Sequence, residues 1–340
     1  MLRLALIALL FAGAAAAAEP FDRRYMIAAA KSVVRVEAGQ GGARYAVGTG
    51  TVTGPGEVTT AHHVVRGAKR VYVLSGGVRH AASVSRVDPV HDICVLTVHN
   101  LEARPLHPRP SGELQIGEPV AAIGYSGGGG LNFTTGEVVE LHRLSGARIV
   151  ETTAPFTSGA SGGPLLDSDG RLVGFLMFRA MNAVGHFYAV PVEWLAGGRP
   201  QPDREAQPFW QETQARLPYF MQASLLHYES RWDELRALAA NWSREEPDDA
   251  EPLYLRARIE ARVGDIEAAL LSYREAVTRD PGHAPSWLAM AQTMLQMGRT
   301  GCAGAAYARL AALSPALARQ AAGVNPELAA TMEASTCELF

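Results

Sequence analysis

Proline stands at residues 247, 281 and 315, and the 34-residue interval between them organises the chain around it. Gly264 and Gly298, Ala269 and Ala303, and Tyr273 and Tyr307 keep the same interval. In each unit one helix ends near the glycine, a second helix carries the alanine and the tyrosine, and the proline terminates it. The small alanine lets two helices approach, and the aromatic ring fills the groove between them. Units are expected at about 216–249, 250–283 and 284–315, inside a helical domain over 209–335. The first unit is the most degenerate, with Ser230 where the others have glycine. The tail ALARQAAGVNPELAATMEAS is expected to supply a capping helix, because a repeat stack must cover its last apolar face.

In period and in residue types these units resemble the tetratricopeptide repeat. The resemblance implies an all-α solenoid whose groove receives an extended peptide or a helix of a protein partner. An unrelated helical bundle would have no reason to keep four kinds of residue in register.

The chain before this domain has a different texture. SVVRVEA, YAVGTGTVT, GEVTTA, RVYVL, ICVLTV, PVAAIGY, TTGEVVEL, ARIVETT, RLVGFLMF and HFYAVPV are short runs rich in β-branched and aromatic residues. Gly, Pro, Asp and Ser punctuate them, and no long helical pattern interrupts them. Many short strands at close spacing point to a sandwich or a barrel. GGRPQPDREAQP, residues 197–208, has the Gly, Pro and charge content of a linker between the two halves.

Residues 1–18, MLRLALIALLFAGAAAAA, have the order of a secretory signal peptide, with Arg3, an apolar run and an A-x-A-like site ending at Ala18. No later stretch is apolar and long enough to span a bilayer, so a soluble periplasmic or secreted chain is expected after its removal. A formal net charge of −3 gives no basic surplus for nucleic acid and no basic tract for an anionic membrane. Three cysteines do not make a disulfide scaffold. Cys94, inside DICVLTV, reads as a buried small hydrophobe. Cys302 and Cys337 can pair in an oxidising compartment, and their spacing leaves that open.

Chemistry enters at Gly159-Ala160-Ser161-Gly162-Gly163-Pro164. Alone, G-x-S-x-G fits two unrelated enzymes. The α/β-hydrolase elbow needs a helix after the serine and partners in the order Ser, Asp, His. Here a β-rich stretch follows, and no acid-then-histidine pair lies downstream in a strand–helix context. The other arrangement needs His, Asp and Ser in that order in a β-barrel protein. TTAHHVV, DPVHDICVLTV and GASGGP supply the order. These stretches resemble the chymotrypsin-like serine proteases, most closely their bacterial HtrA-like branch, over roughly residues 26–196. The resemblance implies a trypsin-like double β-barrel. It selects His63 rather than His62, Asp92 rather than Asp88, and Ser161, leaving His62 and His91 as neighbours pointing elsewhere.

The roles implied are general base for His63, orienting acid for Asp92 and nucleophile for Ser161, with the amides of Gly159 and Ser161 as oxyanion hole. Ala160 stands where activated digestive proteases place an Asp that pairs with a new N-terminal ammonium, so no activation by that route is expected. By the same analogy 155–158, 177–179 and 186–188 line the primary pocket, with Pro155, Met177, His186 and Tyr188 on its walls. Pro155 stands where trypsin-like enzymes place their acid, which argues against a Lys or Arg preference and favours an apolar pocket. His186 on the floor would instead attract an acidic side chain. No cofactor or metal is expected. The leading expectation is a secreted serine endopeptidase acting on protein or peptide, with the repeats recruiting substrate or partner. The alternatives are a silent protease-fold scaffold and an esterase on the same fold.

Overall fold

A computed structural model describes residues 21–39, 45–126, 129–179, 187–197, 207–334 and 337. The leader read at residues 1–18 and most of the linker at 197–208 lie outside them. The strands close two barrels. The first contains β1 (Val33–Gly39), β2 (Tyr45–Gly54), β3 (Glu57–Ala61), β4 (Arg70–Ser75), β5 (Val78–Asp88) and β6 (Ile93–Val98), ordered β1-β2-β3-β6-β5-β4. The second contains β7 (Pro119–Gly124), β8 (Asn132–Leu144), β9 (Ala147–Thr152), β10 (Pro164–Asp167), β11 (Leu172–Arg179) and β12 (Phe187–Pro191). Read from β7, its order β7-β8-β9-β12-β11-β10 repeats the topology of the first. Every pairing is antiparallel, and closure leaves neither sheet an open edge.

Alternation decides what fills each barrel. Val34, Val36, Val52, Val58, Val73 and Leu96 are fully buried in the first, and Val120, Val150, Leu165, Val173 and Leu176 in the second. Each such side chain contributes roughly 1.5–3 kcal/mol relative to exposure. Two strands escape a reading by hydrophobic pattern. β5 is polar and largely exposed, and β10 has only four residues, PLLD, beginning with proline. A helix that the pattern also hides, α1 (Arg23–Ala30), precedes β1; the Asp22 carboxylate caps it by accepting from the Arg24 amide at 2.8 Å. A single helical turn, α2 (His62–Val65), follows β3.

Beyond Phe209 the described residues form α3 (Tyr219–Tyr228), α4 (Trp232–Glu245), α5 (Glu251–Arg262), α6 (Ile266–Arg279), α7 (Ala284–Gln296), α8 (Thr300–Leu313), α9 (Pro315–Val324) and α10 (Pro326–Ala330). The turns α3–α4, α5–α6 and α7–α8 are copies of one another. In each, an amide reaches back five residues: Arg231 to Leu226, Asp265 to Glu260 and Arg299 to Met294, at 2.9, 3.0 and 2.9 Å. Each needs a left-handed residue, supplied by Ser230 (φ 57°), Gly264 (φ 87°) and Gly298 (φ 72°). The serine keeps the turn despite its Cβ.

Size complementarity explains why the first pair looks degenerate. Ala269 and Tyr273 recur as Ala303 and Tyr307, but 34 residues earlier stand Leu235 and Ala239. All six are buried, so the large and small members have exchanged places. Cys302 and Cys337 form a disulfide, with Cα atoms 4.8 Å apart, tying α8 to the chain beyond the last helical turn.

The helical half packs on the second barrel. Helices α3, α5, α7 and α9 line a cavity of about 620 Å³ whose opposite wall is Val139, Glu140 and His142 of β8 with Glu151 of β9. Arg143 pairs with Asp280 at 3.0 Å, Gln320 donates to Glu137 at 2.8 Å, and the Ser314 hydroxyl donates to the Ile116 carbonyl. The His142 ring stacks on Phe220 with centroids 4.2 Å apart. The face of the stack expected to receive a partner is thus partly covered by the protein's own barrel.

Candidate active site

Strand register brings the candidate base and acid together. Ala61, the last residue of β3, pairs with Ile93, the first of β6. The residues just after 61 and just before 93 therefore lie at one end of the barrel. There the His62 amide donates to the Asp92 carbonyl at 2.8 Å. The His63 amide donates to Asp92 Oδ1 at 2.8 Å, and His63 Nδ1 lies 2.6 Å from Asp92 Oδ2. The carboxylate thus fixes both the backbone and the ring of His63. Asp92 is fully buried, while the His63 side chain keeps 26% of its surface. Asp92 has φ 60°, in the left-handed region, which Asp tolerates better than most residues at a cost of about 1 kcal/mol.

His62 turns inward. It is buried, and its Nδ1 has no partner among the described residues. Burial holds its pKa below the usual imidazole value, against a smaller pull from Asp92. His91 is engaged away from the His63–Asp92 pair, with its ring 2.6 Å from Asp88 Oδ2 and stacked on Trp194 at 4.0 Å. Cys94 is buried beside this corner, and burial, reinforced by Asp92, pushes its thiol up to about 12.

Ser161 sits on the tight turn between β9 and β10. The Ala160 amide donates to the Thr157 carbonyl and the Gly163 amide to the Ala160 carbonyl, at 3.0 and 2.8 Å. Glycine is required here by space. A Cβ on Gly162, whose φ is 85°, would stand 2.4 Å from the Thr49 carbonyl oxygen, and one on Gly163 would stand 2.2 Å from that of Ile123. The amides of Gly159 and Ser161 donate to no acceptor among the described residues, and both lie in this turn. Ser161 Oγ donates to the Met177 carbonyl at 3.4 Å and makes no hydrogen bond to His63 among the described residues.

Thr49 joins the two barrels at this point, and sequence reasoning passed over it. Its amide donates to the Ser161 carbonyl at 3.0 Å and its hydroxyl to the Gly159 carbonyl at 2.7 Å. The same hydroxyl accepts from the Tyr125 amide at 2.9 Å. The only signal in the sequence is the pair of glycines around it in VGTGTVT. Those glycines let β2 run close to its neighbours, since a Cβ on Gly50 would fall 2.5 Å from Val58.

The expected pocket residues do not assemble as a set. Tyr188 requires a correction, because alternation along β12 turns it toward the helical half. It is buried against Glu151, Ser224 and Phe220, and burial with the Glu151 contact drives its pKa upward. Its neighbour Phe187 faces Phe156 instead, with centroids 5.2 Å apart. The Met177 side chain is also buried, and only its carbonyl reaches Ser161. Pro155 is exposed, with its carbonyl accepting from Thr134. His186 lies outside the described residues.

One further cluster lies far from these groups in the fold, at the seam between β8 and the helices. Glu140, Glu251 and His283 bring ligand-type atoms within 4.8 Å of one another. His283 is already engaged, with Nε2 3.1 Å from Glu251 and Nδ1 capping α7. Burial and the adjacent Glu251 push the Glu140 carboxyl up to about 7, so a proton there relieves the like-charge contact.

Residues 48–175 match the family described as trypsin-like peptidase domain. Serine protease Rv3671c of Mycobacterium tuberculosis is 34% identical over 148 residues, covering 40% of this chain and 36% of that protein. A probable periplasmic serine endoprotease DegP-like of Chlamydia muridarum is 34% identical over 154 residues, covering 42% of this chain and 31% of that protein. Among solved structures, the active form of the Rv3671c protease aligns at 27% identity with a TM-score of 0.49, over 54% of this chain and 88% of that one. The chain spans about a third of the length of these curated relatives. The double-barrel half matches the trypsin-like peptidase domain over residues 48–175 and is similar to serine proteases, and an all-helical region follows it.

Proposed function

We propose that the protein is a serine endopeptidase that hydrolyses peptide bonds through Ser161, His63 and Asp92. The observation that carries this reading is the two-point grip of Asp92 on His63, at the barrel end facing the Gly159–Gly163 turn. Asp92 keeps Nδ1 protonated, which leaves Nε2 as the base. Attack requires Ser161 Oγ to turn from the Met177 carbonyl toward Nε2; catalytic hydrogen bonds are often loose before substrate binds. His63 then takes the hydroxyl proton as Oγ adds to the scissile carbonyl, and returns it to the leaving amine. Water, deprotonated by the same imidazole, hydrolyses the acyl-enzyme. The open amides of Gly159 and Ser161 would receive the oxyanion, at about 3 kcal/mol for each donor.

The reading extends to a periplasmic or secreted protein whose tetratricopeptide-like stack recruits substrate or partner. The signal-like leader and the Cys302–Cys337 disulfide support an oxidising compartment. Among the described residues no helix is long and apolar enough to cross a membrane. The Ser161–Met177 contact is the one observation favouring a silent scaffold. Cleavage of unfolded casein by the wild type and by Ser161→Ala separates the two: cleavage by the wild type alone is expected, and equal cleavage by both would sink the assignment.

A further inference from the structure

Trp210 belongs to neither barrel, yet it stands against His63, with ring centroids 5.6 Å apart and planes at 85°. It lies on the short turn Phe209–Gln211, the first described element after the linker. That turn is pinned to the corner 88–92, which carries Asp92. The Phe209 amide donates to the Val90 carbonyl at 2.9 Å. The Phe209 ring meets Trp194 edge-on at 6.2 Å, and His91 stacks on the same indole at 4.0 Å. Asp88 holds His91 in turn, accepting from its amide at 3.1 Å and contacting its ring at 2.6 Å. One corner of the chain therefore places Asp92, His63 and Trp210 together. Both Trp210 and His63 remain partly exposed, so a substrate crossing the imidazole meets the indole.

Resting on the serine-protease reading, we infer that Trp210 is a specificity residue: an apolar wall, supplied from beyond the linker, for the substrate side chain that lies over His63. An indole suits the task because it is large, flat and ordered at little entropic cost. A branched or aromatic side chain at that subsite buries surface against it, whereas glycine or an acidic residue gains nothing. The substrate class is therefore polypeptide with a large apolar residue adjoining the cleaved bond. The protease half also depends on the segment after the linker to read that residue.

The test uses the full chain as wild type, Trp210→Ala and Trp210→Phe, with peptide libraries scanned one subsite at a time and kcat/KM read for each. In Trp210→Ala the preference for Leu, Val or Phe over Gly should fall about tenfold at one subsite next to the cleaved bond. The other subsites should keep their profiles, and Trp210→Phe should retain most of the preference. A uniform fall at every subsite would mean that Trp210 only supports the fold. A uniform rise would make it a lid, and an unchanged profile would remove it from the cleft; each overturns the inference. If wild type and Ser161→Ala cleave the library equally, the protease reading itself fails and takes this inference with it. That comparison is read first.

Discussion

Thr49→Val tests whether the seam between the barrels holds the Gly159–Gly163 turn in shape. Valine keeps the volume of a fully buried side chain and removes only the hydroxyl. Two hydrogen bonds go with it: the one donated to the Gly159 carbonyl at 2.7 Å and the one accepted from the Tyr125 amide at 2.9 Å. Among the described residues the peptide between Gly159 and Ala160 is then held only through the Ala160 amide, which donates to the Thr157 carbonyl. That peptide links the two candidate oxyanion donors. The acceptor and the donor left unpaired are only partly buried, so each costs about 1–2 kcal/mol, the lower part of the usual range, and a total of about 2–4 kcal/mol is expected. Were all of it felt in the transition state, kcat would fall about 30- to 700-fold. Hydrolysis of a fluorogenic peptide gives kcat, and urea unfolding gives the part borne by the folded state. Wild-type kcat together with unchanged unfolding would refute the claim that this hydroxyl organises the turn.

Four other outcomes follow from the same geometry. His63→Ala should abolish hydrolysis and Asp92→Asn should lower kcat ~10⁴-fold, while His62→Ala should lose stability and keep its rate. The reverse pattern in casein cleavage would place the base one residue earlier. Ser230→Gly should stabilise the α3–α4 turn by about 1 kcal/mol in thermal melts, because glycine adopts φ 57° without a Cβ clash. Cys302→Ser should destabilise the helical half by roughly 3–4 kcal/mol for a loop of this length, measured under oxidising conditions. Burial pulls down the pKa values of His142 and His283, but Glu151, Glu251 and Glu140 win and raise both, while burial and Glu251 raise Glu140 to about 7. All three groups hold protons more tightly in the folded state, so their stabilisation is complete below the unfolded values and is lost as pH rises through the folded ones, for Glu140 through about 7; Tm should fall as pH rises from about 4.5 through about 7, and Glu140→Gln should flatten that fall.

What the sequence disclosed depended on whether the physics was local. The helical turns were legible because a left-handed position needs glycine, and glycine recurs at 264 and 298. The first turn was obscured because Ser230 tolerates the same backbone, and because Leu235 and Ala239 exchange the sizes found at Ala269 and Tyr273. The contact of His63 with Asp92 was legible through motifs at chain bends, but β5 was hidden by exposure on both faces and β10 by its length. Thr49 could not be found, because its importance lies in partners about 110 and 76 residues away, at Gly159 and Tyr125. Tyr188 was misplaced for a related reason. Analogy fixed its strand, but the helical half, packing Phe220 and Ser224 against that face, fixed its surroundings.

The contact between the halves changes what the helical stack can do. A free stack would offer the face built by α3, α5, α7 and α9 to any extended peptide. Here β8 and β9 form the opposite wall, leaving about 620 Å³ between them. Arg143–Asp280, Gln320–Glu137 and the His142–Phe220 stack hold the wall in place. A peptide entering that space would touch barrel and helices at once, including the His142–Glu151 pair, 2.6 Å apart. β9 also carries the chain directly toward the Ser161 turn, and Tyr188 of β12 contacts both Glu151 and the helical half. The groove and the Ser161 turn therefore share β-strands, whereas Trp210 stands against His63 on the side of the first barrel. The helical half thus bears on the candidate site from two directions, through β9 and β12 on the serine side and through the corner 88–92 on the histidine side.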